Sequence, residues 1–264
     1  MTGTDDQAQR PTAVPLRWLA RPETAALLLT AAAAWAVTLV LAHGMAGMAG
    51  TMGLTVAAFV GVWTLMMAAM MLPSVTPTAS LYSRSVVTNR PARLTCLLIG
   101  YLLVWAAAGI PAFGLAWLTN WLAMNHATAA HVLAVCIFAI CGVYQLSNLK
   151  DRCLAHCRSP VGLFMRYGSF RGPTRDLRVG IHHGAYCLGC CWALMVILIT
   201  VGAMNVAAMV ALAILILVEK TWARGPLTAR LVGIGAIGLA VVTIWRPELA
   251  PGLHIAQPMT NMGS

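Results

Sequence analysis

Long uncharged apolar segments alternate along this chain with short polar segments that are mostly basic. Seven of the apolar segments come near the roughly 17–25 residues that a helix needs to cross about 30 Å of hydrocarbon. They are residues 24–43, 54–72, 94–118, 129–149, 179–201, 205–219 and 228–244. Residues 181–218 are too long for one crossing, so we place a turn at Val201–Asn205, where Gly202 and Asn205 are typical turn residues. The pattern predicts an all-α, polytopic transmembrane helix bundle of about seven spans.

Composition and charge agree with this pattern and add an orientation. Only 9% of the residues are charged and 60% are hydrophobic, whereas soluble domains carry about 25% charged residues. Every Lys and Arg except Arg246 falls in the N-terminal segment or in the second-to-third, fourth-to-fifth or sixth-to-seventh loop. Because basic loops stay cytoplasmic during insertion, we expect a cytoplasmic N-terminus and an outside C-terminus. A cleaved signal peptide is the alternative for the first segment.

The same topology suggests domain bounds and partners. We expect a disordered cytoplasmic tail at residues 1–22, a transmembrane helical domain at 23–246 and a disordered outer tail at 247–264. The net charge of +10 is explained by basic loops that meet the anionic headgroups of a lipid bilayer. We expect no nucleic-acid partner, since no basic patch is interleaved with aromatic residues.

Two groups of Cys and His flank the longest basic loop. In GIHHGAYCLGCCW, a helical repeat places four side chains on one stripe, while His182 and Trp192 point elsewhere. In LKDRCLAHCRSP, three more side chains follow an i, i+3, i+4 pattern, if the fourth span continues as a helix toward Pro160. If these helices are antiparallel neighbours, both groups converge at the cytoplasmic face. The candidate metal ligands are Cys153, His156, Cys157, His183, Cys187, Cys190 and Cys191.

The ligand types favour a soft metal. The cytoplasmic face is reducing, so free thiols or metal ligands are expected there rather than disulfides. Thiolate and imidazole suit Cu(I) or zinc, whereas Mg, Ca or Mn would need carboxylates, of which the whole chain has seven. Copper as Cu(I) is the main expectation and a structural zinc ion the alternative. The third alternative is that these cysteines pack as small hydrophobic side chains.

Methionines form a further candidate group on the second span. In WTLMMAAMM, a helical repeat places Trp63, Met66, Met67 and Met70 within one arc, ahead of Pro73 and Pro77, which we expect to end the helix. Thioether sulfur is a soft ligand for Cu(I), although methionine also fills gaps in apolar cores. A second soft group, His43, Met45, Met48 and Met52, follows the first span in a glycine-rich loop.

These motifs resemble an uncharacterised bacterial family described as predicted metal-binding integral membrane proteins. The resemblance rests on WTLMMAAMMLPS, YQLSNLKDRCLAHCRSP and GIHHGAYCLGCCWALM, and it covers roughly residues 54–220. It implies metal binding and a multi-pass location in the bacterial plasma (inner) membrane, but no settled reaction.

Three functions remain open at this point. The first is a Cu(I) transporter or a donor that loads copper into a partner protein, with Met66, Met67 and Met70 as an intramembrane relay. The second is a membrane assembly factor with a structural zinc ion. The third is a metal-dependent membrane oxidoreductase, which the absence of a haem-attachment motif and of a carboxylate pair disfavours.

Overall fold

The structure is a bundle of α-helices, in agreement with the predicted fold class. It is a computed structural model that describes residues 22–45, 48, 50–86, 88–159, 167, 170 and 172–246. No strand occurs within these ranges. The predicted tails at 1–22 and 247–264 lie outside the described residues, apart from Pro22. The helices are α1 (Pro22–Gly44), α2 (Val56–Ser85), α3 (Arg90–Asn125), α4 (Ala127–Gln145), α5 (Asn148–Arg158), α6 (Arg175–Val201), α7 (Val206–Thr221) and α8 (Gly225–Trp245).

Six of these helices, α1, α2, α3, α4, α6 and α8, are long and apolar enough to cross a membrane. The remaining predicted span corresponds to α7, whose 16 residues extend about 24 Å at 1.5 Å per residue. This is shorter than the hydrocarbon layer, so the seventh crossing and the orientation remain predictions. The predicted turn is confirmed: α6 ends at Val201, Gly202 has a φ of 121°, and the Asn205 side chain accepts a hydrogen bond from the Ala208 N–H at 3.0 Å.

The expectation that Pro73 and Pro77 end the second span was wrong, because α2 continues through both to Ser85. Proline removes a backbone donor and leaves carbonyl groups in the preceding turn without their usual partner. Beside the prolines, the Ser74 hydroxyl donates to the Met71 carbonyl at 2.9 Å and the Thr76 hydroxyl donates to the Leu72 carbonyl at 2.8 Å, so both polar side chains are satisfied within the helix. The helix therefore carries its buried residues beyond the predicted boundary.

Small residues allow α3 and α6 to pack closely along much of their length. A Cβ atom added to Gly180 would lie 1.9 Å from the Leu97 carbonyl oxygen, and one added to Gly100 would lie 2.3 Å from the Leu177 carbonyl oxygen. Only hydrogen atoms fit in that space, as in other transmembrane pairs with glycines at helical spacing. This close packing brings α3 against the face of α6 that carries the cysteines.

The basic fourth-to-fifth segment starts as a separate helix rather than as a continuation of the fourth span. Helix α4 ends at Gln145, and the Ser147 hydroxyl caps α5 by accepting a hydrogen bond from the Lys150 N–H at 3.3 Å. Helix α5 then packs against α6 and α7. The end of the bundle that holds α5 also holds the C-terminal end of α7, and we refer to it as the cysteine end.

Candidate metal centre

Three cysteines of α6 form a compact group at the cysteine end. Cys187, Cys190 and Cys191 have i, i+3, i+4 spacing, which places them on one face of the helix. Their Sγ atoms all lie within 4.8 Å of one another, and those of Cys190 and Cys191 are 3.2 Å apart. Each residue is at most 1% exposed. Two sulfur ligands of one ion with bonds of about 2.3 Å lie at most about 4.6 Å apart, so this group fits one metal ion after small adjustments.

Helix α5 brings two further cysteines against α6, of which Cys157 lies beside the three-cysteine group and Cys153 lies to one side of it, over Gly189. The Sγ atoms of Cys157 and Cys190 are 3.8 Å apart, which is within the range for two ligands of one ion. Cys153 lies over Gly189, where an added Cβ atom would be only 3.0 Å from the Cys153 sulfur. Cys153 and Cys157 are partly exposed, unlike the cysteines of α6. Burial raises the pKa of the Cys153 thiol against the opposing effect of Lys150.

Two polar groups meet the sulfur of Cys187. The Lys220 Nζ atom of α7 donates to this Sγ atom at 3.0 Å, and the Tyr101 hydroxyl of α3 lies 3.0 Å from it and can donate to its thiolate form. Lys220 Nζ also lies 3.2 Å from the Ser74 hydroxyl of α2. An ammonium group and a hydroxyl group that both point at one buried sulfur stabilise its thiolate form. Among the three cysteines of α6, Cys187 is therefore the one whose surroundings best stabilise a negative charge.

A buried ion pair lies directly behind the cysteines. Lys150 Nζ is 2.7 Å from a carboxylate oxygen of Glu219 and 2.6 Å from the Cys190 carbonyl oxygen. The amide of Gln145 donates to the other carboxylate oxygen at 3.3 Å. Burial lowers the pKa of Lys150, but Glu219 and the nearby Cys191 and Cys190 raise it more, so the net direction is upward. Because Lys150 and Glu219 neutralise each other, Lys220 remains as the net positive charge beside the sulfurs.

The histidines occupy two different surroundings. His183 is 4% exposed, its ring lies 5.9 Å from that of Tyr101, and its Nδ1 atom has no hydrogen-bond partner among the described residues. His156 instead stacks on Tyr186 with ring centroids 3.7 Å apart, and it lies 5.8 Å from His182. The structure thus places His183 one turn before Cys187, whereas His156 faces an aromatic cluster beside the thiols.

The methionines of α2 lie in the same hydrophobic core cluster as the three cysteines of α6. Met66, Met67 and Met70 are each at most 2% exposed. Their neighbours Ala69, Met71 and Leu72 are buried to the same degree, so this part of α2 is enclosed on all sides and burial does not single out one methionine face. The cluster places thioether and thiol sulfur in one continuous packed region.

Sequence reasoning did not identify Lys220, Tyr101, Lys150 or Glu219 as neighbours of the cysteines. One signal was present: Glu219 and Lys220 are ionisable residues at the end of an uncharged apolar run. Ionisable groups at such depth are costly and mark functional positions. Their partners could not be read from the sequence, because these depend on which helices lie side by side.

Comparison with known proteins gives one family. A family model described as PpoB2, copper chaperone, matches residues 60–243. No curated protein and no solved structure matches the chain significantly. The match spans well over half of the chain and includes α2 to α8, with all five cysteines at the cysteine end. The description of this family and the buried cysteine group both suggest copper-related metal binding. The chain belongs to the PpoB2 copper chaperone family.

Proposed function

We propose that this protein is a multi-pass membrane copper chaperone that holds Cu(I) at the cysteine end and donates it to a copper-handling partner protein. One observation carries the proposal: three buried Sγ atoms lie within 4.8 Å of one another. Thiolate sulfur selects soft ions such as Cu(I), and the enclosed position excludes water and oxidants. The proposed ligands are Cys187, Cys190 and Cys191, with Cys157 and Cys153 of α5 beside them and His183 and His156 at the edge.

The charges around the group favour a monovalent cargo. Two thiolates and one Cu(I) ion carry a net charge of −1, which the Lys220 ammonium at 3.0 Å from Cys187 neutralises. A buried assembly of this kind avoids the large cost of an uncompensated charge. A zinc ion held by the same two thiolates would be neutral and would leave the charge of Lys220 uncompensated, whereas zinc with three thiolates would carry −1 and match Lys220. Charge balance therefore supports Cu(I) where two of the three cysteines are thiolates and the third remains a thiol.

The difference in burial between α5 and α6 suggests a direction of release. The thiols of α6 are fully enclosed, whereas Cys153 and Cys157 are partly exposed on a short helix. Soft ligands of a partner can reach α5 first and replace one cysteine at a time. This exchange changes no oxidation state, since each step forms one copper–ligand bond and breaks another. Met66, Met67 and Met70 are proposed as neutral ligands along the intramembrane part of the path.

The location follows from the helices and charges. Six long apolar helices are compatible with a multi-pass membrane protein, and we place it in the bacterial plasma membrane with the cysteine end in the cytoplasm. Arg158, Arg224 and Arg230 lie at this end, where they can meet anionic headgroups. The Arg158 guanidinium also donates to the Glu219 carbonyl at 2.6 Å, which ties α5 to the end of α7.

The test is the metal content of protein purified in detergent under anaerobic, reducing conditions. We expect bound copper as Cu(I), and a lower ratio of copper to protein in the variant C187S/C190S/C191S, with the most tightly held copper lost. The matched control is C96S/C136S, which removes two thiols that lie outside the group and are exposed. A copper content and affinity of the triple variant equal to those of the unaltered protein would contradict the proposal. Stoichiometric zinc with unfolding on chelation would favour the assembly factor instead.

A further inference from the structure

A second group of soft ligands lines a cavity of about 380 Å³ at the end of the bundle opposite the cysteine end. The cavity lies between the end of α1 and the turn that joins α6 to α7. The lining includes His43 of α1, Met45 directly after α1, and Met48 of the following loop. The turn contributes Met204 and Asn205. Two segments that are distant in sequence therefore contribute sulfur to one cavity.

The chemistry of the lining is selective. It combines three thioethers with one imidazole, and it includes no carboxylate, ammonium or guanidinium group. Neutral sulfur and nitrogen donors bind soft ions such as Cu(I) and offer little to Mg²⁺ or Ca²⁺, which prefer oxygen. Simple packing does not explain all three methionines, because Met48 is 55% exposed and fills no gap in the core.

Backbone hydrogen bonds position these side chains. The Met45 N–H donates to the Leu41 carbonyl at 3.0 Å, and the Met48 N–H donates to the Met45 carbonyl at 3.0 Å, so the chain turns back over the end of α1. On the other wall, Gly202 adopts a φ of 121°, which favours glycine, and the Asn205 N–H donates to the Gly202 carbonyl at 2.9 Å. The turn presents Met204 to the cavity.

The cavity and the cysteine group border the same hydrophobic core cluster. Met45 and Met204 pack against the hydrophobic cluster that contains Met195, Met209 and the cysteines of α6. From Cys191 to Val201, α6 rises about 15 Å at 1.5 Å per residue. The two groups of soft ligands therefore lie at opposite ends of one packed region.

We propose that His43, Met45, Met48 and Met204 form a second Cu(I) site, separate from the cysteine group. The choice of cation rests on the proposed copper function, but the ligands and their location are independent of it. Because all four donors are neutral, this site holds Cu(I) less tightly than thiolates do. A weaker site at one end and a stronger one at the other establish a direction of movement toward the cysteines.

The first experiment measures Cu(I) binding in the C187S/C190S/C191S background, with a Cu(I)-specific chromophoric chelator as competitor. We expect this background to retain Cu(I) that is lost when M45L, M48L and M204L are added. Leucine has nearly the volume of methionine, so the fold tolerates the change. The control adds M124L, because Met124 is 68% exposed and lies outside the cavity. We expect M124L to retain the binding.

A second measurement uses the unaltered protein and does not depend on the folding of any variant. Peroxide oxidises exposed thioethers, and a bound soft ion protects them. With Ag(I) as a redox-inert substitute for Cu(I), we expect mass spectrometry to show slower oxidation of Met45, Met48 and Met204, but not of Met124.

These experiments distinguish a failure of the second site from a failure of the proposed function. Equal oxidation with and without Ag(I), or Cu(I) binding that survives the leucine substitutions, would overturn the second site. If the serine substitutions leave total copper unchanged while the leucine substitutions remove it, the proposed function of the cysteines fails and the second site stands.

Discussion

The substitution Lys220→Gln tests the charge balance at the cysteine end. It keeps an unbranched side chain and adds no soft ligand, but it removes the only net positive charge that the structure places beside Cys187, among the described residues. At 3.0 Å and an effective dielectric constant of about 20, the attraction between one ammonium and one thiolate is about 5.5 kcal/mol before desolvation. A charged hydrogen bond contributes a net of about 1.5–3 kcal/mol. We therefore expect a loss of about 2 kcal/mol in Cu(I) binding, or about 30-fold in affinity.

The assay is competition between the protein and a chromophoric Cu(I) chelator in detergent, under anaerobic conditions and at fixed pH. The control variant is K150Q/E219Q, which removes the neighbouring ion pair as a unit and leaves the net charge of the site unchanged. Removing Lys150 alone would leave Glu219 buried and unpaired, which costs about 3–5 kcal/mol of stability. We expect the control to bind Cu(I) much more tightly than K220Q does.

Unchanged or tighter copper binding by K220Q would refute this reasoning. Tighter binding would mean that the ammonium repels the incoming ion more than it stabilises the copper–thiolate assembly. Lys220 would then occupy the site of the ion rather than balance its ligands. Circular dichroism and thermal unfolding of K220Q are needed to show that the helices are intact.

Two more predictions concern helix packing and thiol accessibility. In Gly180→Ala, the added Cβ atom would lie 1.9 Å from the Leu97 carbonyl oxygen, so α3 and α6 must separate, and we expect a loss of about 1–3 kcal/mol in the free energy of unfolding. Gly114→Ala, where nothing lies within 4 Å, is the control, and equal unfolding temperatures for the two variants would contradict the packing argument. Maleimide should label the partly exposed Cys157 faster than the enclosed Cys190, as read by mass spectrometry of the native, metal-free protein. Equal rates would mean that the α6 thiols are not enclosed.

The helices and the cysteine stripe could be predicted because both depend on local patterns. Apolar run length predicted seven helices, five of them within about four residues of the observed bounds, whereas α2 and α3 extend further than predicted. The 3.6-residue repeat placed Cys187, Cys190 and Cys191 on one face. The extent of α2 could not be predicted from proline alone. Residues beyond Pro73, such as Val75, Thr76 and Ala79, are each at most 2% exposed, and packing of this kind outweighs the local preference of proline.

The charged surroundings of the cysteines could not be predicted for a different reason. Lys220 is 33 residues from Cys187, and Tyr101 is 86 residues away. Their meeting depends on α3 and α7 both packing near α6, and no periodicity specifies neighbours of that kind. For His156, the sequence predicted the wrong neighbour. Its helical spacing predicted a thiol, whereas its ring stacks on Tyr186.

The position of the cysteines between four helices couples copper binding to local opening. Tyr101 of α3, Cys157 of α5 and Lys220 of α7 all contact the thiols of α6, so a bound ion would hold four helices together. A ligand that binds only the folded state adds about 4 kcal/mol of stability at a concentration of 1,000 times its Kd. Helix α5 has 11 residues and few buried ones, so it is the element that can separate from α6 at the lowest cost. A partner that binds α5 and stabilises its separation would expose the copper ligands and lower the affinity at the same time, which is what a chaperone requires to hold copper tightly and still release it.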